Sequence, residues 1–162
     1  MLRAVLAVLL AAALVGVSMG ALQDARQTRS DRLAAGEVGA LRDAAVGLQQ
    51  SAAPAPRAAV AARRVVDVAV PTGGFTEAPV AYVAVGGRPG KPVPGDDGGS
   101  DVVAYRLADG PPRTTRLPVD VRAAGRGGDD TPLVLRGPAR VALSLVERRD
   151  RPVVLVERVG RA

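Results

Sequence analysis

The spacing of apolar positions changes twice along the chain. Ala4–Leu22, AVLAVLLAAALVGVSMGAL, is an unbroken apolar or small run without a charge, preceded by Arg3. As a helix, these nineteen residues rise about 28 Å, close to a hydrocarbon core of roughly 30 Å. The run therefore predicts a membrane-spanning helix. Gln23–Gln50 follows, polar, rich in helix formers and free of proline. Within it Ala34, Val38, Leu41, Ala45 and Leu48 recur at 4-3-4-3 spacing, one apolar stripe along a helix. Gly36, Gly39 and Gly47 weaken that helix by about 1 kcal/mol each relative to alanine. Ser30 before Asp31 is a candidate N-cap at which a second helix starts. Two heptads are too few for a coiled coil. The stripe is expected to pack on the chain's own β domain, with self-association or a partner helix as its alternative use. Pro54 and Pro56 end the helix, since proline removes a donor and clashes with the preceding turn.

From Arg63 the period becomes two. Arg64–Val70 sets Val66, Val68 and Val70 on one face, and Pro71-Thr72-Gly73-Gly74 stops it. Val80–Val85 is apolar on both faces, as a central strand is. Val102–Leu107 aligns Val103, Tyr105 and Leu107, and Asp109-Gly110-Pro111-Pro112 is a turn. Arg113–Leu117 reads as a short edge strand and Leu133–Arg136 as another short strand. Arg140–Glu147 and Pro152–Arg158 form the strongest hairpin, turning at Arg148–Arg151 with Val141, Leu143 and Leu145 facing one way. Gly86–Ser100 and Ala123–Asp130 are Gly- and Asp-rich loops, the first expected to be mobile. The predicted class is α+β. An N-terminal transmembrane helix extends into an amphipathic helix, followed by an antiparallel sheet domain of six to seven strands. The segments are 1–22 (anchor or signal), 23–50 (membrane-proximal helix), 51–62 (linker) and 63–162 (β domain, mobile loop at 86–100).

Ala4–Leu22 has two uses. A cleaved signal peptide has a basic start, 7–15 apolar residues and a small-residue cleavage site, which Met1–Arg3, Ala4–Val17 and Ser18-Met19-Gly20 supply. A retained anchor needs nearer twenty apolar residues leading directly into folded protein, and this reading is favoured. Cytoplasmic flanks favour Lys and Arg. Arg3 lies before the run and Arg26, Arg29 and Arg32 after it, but a very short N-terminal tail usually stays in the cytoplasm. The expected topology is single-pass in the cell membrane, with the C-terminal domain extracytoplasmic.

Composition removes most chemistry. The 162 residues contain no Cys and no His, so there is no disulfide, no thiol site and no imidazole base or ligand. There is no Trp and aromatic content is 2%, too little for base-stacking platforms. The net charge of +6 is scattered Arg, with Lys91 the single Lys. Without a dense basic run this predicts no nucleic-acid binding, and suits a solvated face near anionic headgroups or an acidic envelope partner.

Apparent sites fail on spacing. Gly90-Lys91 lacks a Gly at position 85 and a Ser or Thr at 92, so it is no phosphate loop. Asp96-Asp97 and Asp129-Asp130 lack the alternating acidic spacing of a calcium loop. Without His, a Ser hydrolase needs a Ser–Lys pair, and Lys91 sits in a Gly-rich loop. Glu77, Glu147 and Glu157 are more economically strand-face partners of Arg than glycosidic carboxylates. The expectation is a protein that is not an enzyme, with no catalytic, cofactor or metal residues.

The succession MLRAVLAVLLAAALVGV, DARQTRSDRLAAGEVGALRDAA, RRVVDVAVP and TPLVLRGPARVALSLVERRDRPVVLVERV resembles a family of small membrane-anchored proteins of haloarchaea, a domain-of-unknown-function family found near type IV pilus-like genes. The resemblance covers nearly the whole chain except Gly86–Ser100. It implies a pilin-like, helix-then-sheet envelope protein with protein partners in a pilus or secretion assembly, and brings no catalytic residues. The chain departs from it in being basic, and in having only Met1-Leu2-Arg3 ahead of the apolar run, where archaeal prepilins are cut after a small residue such as Gly. Two functions stay open: an anchored envelope component, or a β-domain binding module released or tethered after cleavage at Gly20.

Overall fold

The computed structural model describes residues 2–90, 101–124 and 131–160. Lys91, Asp96-Asp97, Asp129-Asp130 and the 86–100 loop beyond Gly90 lie outside them.

Helix α1 (Leu2–Ser51) is one continuous helix of 50 residues, about 75 Å at 1.5 Å per residue. No restart occurs at Ser30-Asp31, because Ser30 faces the sheet and is fully buried rather than capping. A 3₁₀ turn at Ala58–Val60 follows, then β1 (Arg63–Val68), β2 (Val80–Val85), β3 (Val102–Leu107), β4 (Arg113–Arg116), β5 (Val121–Ala123), β6 (Leu133–Leu135), β7 (Ala139–Arg148) and β8 (Arg151–Gly160). The class is α+β. The eight strands form two four-stranded sheets, ordered β1-β7-β8-β5 and β4-β3-β2-β6. All pairings are antiparallel except β5 with β8. The strand beyond the expected seven is β5, three residues long and parallel to the end of the chain.

One core joins the helix to both sheets. Val68, Val141, Leu143, Leu145, Val154 and Val156 come from the first sheet, and Val80, Val83, Val85, Val103, Tyr105 and Leu107 from the second. The alternation read from β1, β3 and β7 is thus the inward face. Burying each Val or Leu fully contributes about 1.5–3 kcal/mol. The opposite face of β7 and β8 carries a smaller cluster of Val146, Val153 and Leu155, covered by Ala61 and Ala124. Further along this outer face Arg63 reaches Glu157 at 2.8 Å. Arg63 is opposite Ser144 and Glu157 opposite Ala142, so the pair bridges from β1 to β8 across β7. Only small residues fit beneath such a bridge, and Ala142 and Ser144 are both buried.

The segment after the helix is tied to the sheet. The N–H of Ala55 donates to Leu145 O (3.2 Å), that of Glu147 to Ala55 O (2.9 Å) and that of Leu145 to Ala62 O (3.2 Å). These bonds occupy the edge of β7 beyond the end of β1, which would otherwise offer unpaired strand groups. Two local conformations deserve a physical reason. Arg149 and Asp150 have φ of 50° and 59°, the pair of positive values that a two-residue type I′ hairpin requires. Gly86 (φ 83°) lies where β2 leaves its sheet beside β5, and an added Cβ would stand 3.2 Å from Val121 O. Its N–H and that of Gly87 both donate to Val102 O, at 3.0 and 3.1 Å.

Candidate functional site

The junction between α1 and the sheets collects the polar side chains with the most defined geometry. It starts from the apolar stripe. Ala34, Val38, Leu41, Ala45 and Leu48 are all buried, none above 6% exposure. They share the core with both sheets. Ser30 and Ala44, which the 4-3-4-3 reading omitted, are buried on the same side. The stripe packs on the chain's own β domain in this structure. Ser30 Oγ is buried without a hydrogen-bond partner. A small side chain allows close approach of helix to sheet there.

Polar residues flanking the stripe reach the sheets. Tyr105 OH donates to Asp31 Oδ1 at 2.9 Å. Arg113 Nη1 pairs with Asp31 Oδ2, also at 2.9 Å. The backbone N–H of Ala69 donates to Glu37 Oε2 at 3.1 Å. Arg29 Nε lies 3.6 Å from Glu77 Oε1. The Arg26 guanidinium stands 5.2 Å from the centre of the Phe75 ring, within cation–π range. Burial, and then the hydrogen bond to ionised Asp31, push the Tyr105 phenol above its usual pKa. Asp31 is the centre of this set, because it binds one group from β3 and one from β4. Sequence spacing gave no sign of it, since a helix residue and a strand residue 74 positions apart leave no local pattern.

An open cleft of about 280 Å³ lies between α1 and the β3–β4 turn, bordered by Asp24, Thr28, Asp31, Pro111 and Arg113. Its strongest charges, Asp31 and Arg113, are already paired with each other. The three glutamates considered as carboxylate pairs are not brought together. Glu77 meets Arg29, Glu157 meets Arg63, and Glu147 is exposed near the β7–β8 turn. Among the described residues no group of acidic side chains is arranged to hold a metal ion.

The junction joins the helix to the two sheets. Its core side is apolar, its flanks are short polar ties, and the helix leaves it bare. Between Val5 and Leu22 the large apolar side chains that are described are exposed, Val8 by 68% and Leu10 by 63%. That stretch is long and apolar enough to cross a membrane. The class so defined is an α+β domain mounted on a helix of membrane-spanning length. The chain belongs to the DUF7311 family, a domain of unknown function that matches residues 1–159. No curated protein and no solved structure matches the chain.

Proposed function

We propose that the protein is a non-enzymatic component of the cell envelope, retained as a single-pass anchor by Ala4–Leu22, with its β domain outside the cytoplasm serving as an accessory part of a pilus-like or secretion assembly. One observation carries the anchor: α1 runs without a break from its bare apolar half into the half packed on the sheets. The helix passes unbroken through Ser18-Met19-Gly20 into the half packed on the sheets, which supports retention. Arg26 and Arg29, which weigh against this orientation by charge counting, have uses in the folded domain against Phe75 and Glu77. The role in a pilus-like assembly rests on the layout of a projecting apolar half-helix followed by a sheet-packed half, which agrees with the sequence resemblance.

Membrane fractionation with intact-mass measurement tests the anchor. The full-length mass is expected in the membrane fraction, whereas a soluble product lacking the first twenty residues would replace this reading with a released binding module. A reporter active only outside the cytoplasm, fused at the C-terminus, is expected to be active. Crosslinking in intact cells followed by mass spectrometry is expected to recover assembly subunits; recovery of none would remove the accessory role while leaving the anchor.

A further inference from the structure

Phe75 is the single Phe of the chain and, among the described residues of the β domain, the most exposed large apolar side chain, at 82%. An exposed aromatic on a flexible strand end would mean little, but this one is held. The Pro71–Pro79 loop is closed at its base by Val80 N–H donating to Pro71 O at 2.9 Å, and at its tip by Gly74 N–H donating to Glu77 O at 3.0 Å. Gly73 (φ 97°) packs against Pro79, where an added Cβ would lie 3.2 Å away. Arg26 and Arg29 of α1 then fasten the loop to the helix through Phe75 and Glu77.

The height of this contact is set by the helix. Arg26 is four residues beyond Leu22, the end of the apolar run, a rise of about 6 Å. The Phe75 ring stands beside the Arg26 guanidinium, 5.2 Å away, so it lies near the level of the first turns beyond the apolar run. The polar layer outside the hydrocarbon is about 5–8 Å thick on each side. Phe75 therefore falls at headgroup depth once Ala4–Leu22 is in the membrane. Val60, 71% exposed in the segment between helix and β domain, follows the far end of the helix and has no such placement.

We propose that the Pro71–Pro79 loop is a membrane foot: Phe75 seats in the headgroup layer of the bilayer that its own helix spans, giving the β domain a second point of attachment. The proposal rests on the anchored reading above. The contact is apolar rather than electrostatic. Arg29 is paired with Glu77 and Arg113 with Asp31, so anionic lipid is not required.

The chain has no Trp, so one substitution creates a single-site probe. Three full-length variants, Phe75→Trp, Leu9→Trp and Val60→Trp, are reconstituted in phosphatidylcholine vesicles, with and without phosphatidylglycerol. Leu9→Trp is expected to be quenched by lipids brominated deep in the acyl chain. Phe75→Trp is expected to show blue-shifted emission, quenched by lipids brominated near the headgroup and equally so in both lipid mixtures. Val60→Trp is expected to emit as in water. A quenched Leu9→Trp with water-like, unquenched emission from Phe75→Trp overturns the foot and leaves the anchor. An unquenched Leu9→Trp overturns the anchor itself. Emission from Phe75→Trp that is blue-shifted only at high protein-to-lipid ratio and insensitive to brominated lipid would assign the residue to contact between copies and also overturn the foot. Quenching only in the mixture with phosphatidylglycerol would overturn the apolar account of the contact.

Discussion

The two halves of α1 obey the same backbone rules and opposite side-chain rules. Leu9 and Leu10 in the first half are exposed, 64% and 63%, while Leu41 and Leu48 in the second are buried, 3% and 6%. The second half pairs its apolar stripe with charged flanks, and those flanks find partners on the sheets. The first half is apolar all round and finds none among the described residues. A helix that is apolar on every side needs an apolar surrounding on every side. One continuous helix thus joins a half long and apolar enough to cross a membrane to a half packed on the sheets, and the change occurs between Leu22 and Arg26.

Substitutions in matched positions break this comparison most directly. Leu41→Glu places an unpaired carboxylate in the core, which costs several kcal/mol, comparable with the whole stability of a small domain. The full-length variant in detergent is expected to melt far lower than the parent, by an amount independent of protein concentration. A concentration-dependent loss would mean that the stripe joins copies. Leu9→Arg should do the reverse. The penalty for a charge near the middle of a spanning helix is about 2.5–3.5 kcal/mol, so membrane integration falls in fractionation while the melting temperature in detergent stays at the parent value.

Smaller effects sharpen the account of the packed half. Tyr105→Phe removes a hydrogen bond to an ionised acceptor and is expected to cost about 1.5–3 kcal/mol by thermal or denaturant unfolding. It should also change the alkaline limb. The folded-state pKa of Tyr105 is raised above the ordinary value of 10.0. The folded protein therefore keeps a proton that the unfolded chain has lost, and stability falls as pH rises from about 10 through the folded value. The phenylalanine variant should lack that part of the decline. Arg29→Ala removes a long, exposed ion pair to Glu77 and is expected to change stability by about 0–0.5 kcal/mol. A loss near that of Tyr105→Phe would mean that surface charge, not burial, holds the helix to the domain.

Much of the fold was legible because its patterns are local. The 4-3-4-3 stripe and the alternation of Val141, Leu143 and Leu145 are each set by a single period, and both faces are inward. The β7–β8 turn was legible from its flanks, although Arg149-Asp150 carries none of the usual Gly or Asn signal. Three features were not legible. Val121–Ala123 is too short to show a period, and its parallel partner lies more than thirty residues on. Ser30-Asp31 has the residue types of a helix start, yet tertiary contacts use both: Ser30 for close packing and Asp31 for Tyr105 and Arg113. Phe75 sits in a Gly-rich stretch that reads as a plain turn, and its meaning comes only from its height beside Arg26.

The unbroken length of α1 makes it a lever. From mid-span to Ser51 is about 55 Å of continuous helix. Spanning helices tilt over a range of tens of degrees, so a change of about 10° carries Ser51 sideways by roughly 10 Å. With no proline between Leu2 and Ser51 to act as a joint, the helix carries that motion to the domain except as far as the Phe75 foot resists it. On the anchored reading, a change in bilayer thickness would thereby be magnified into a positional change at the far end of the helix.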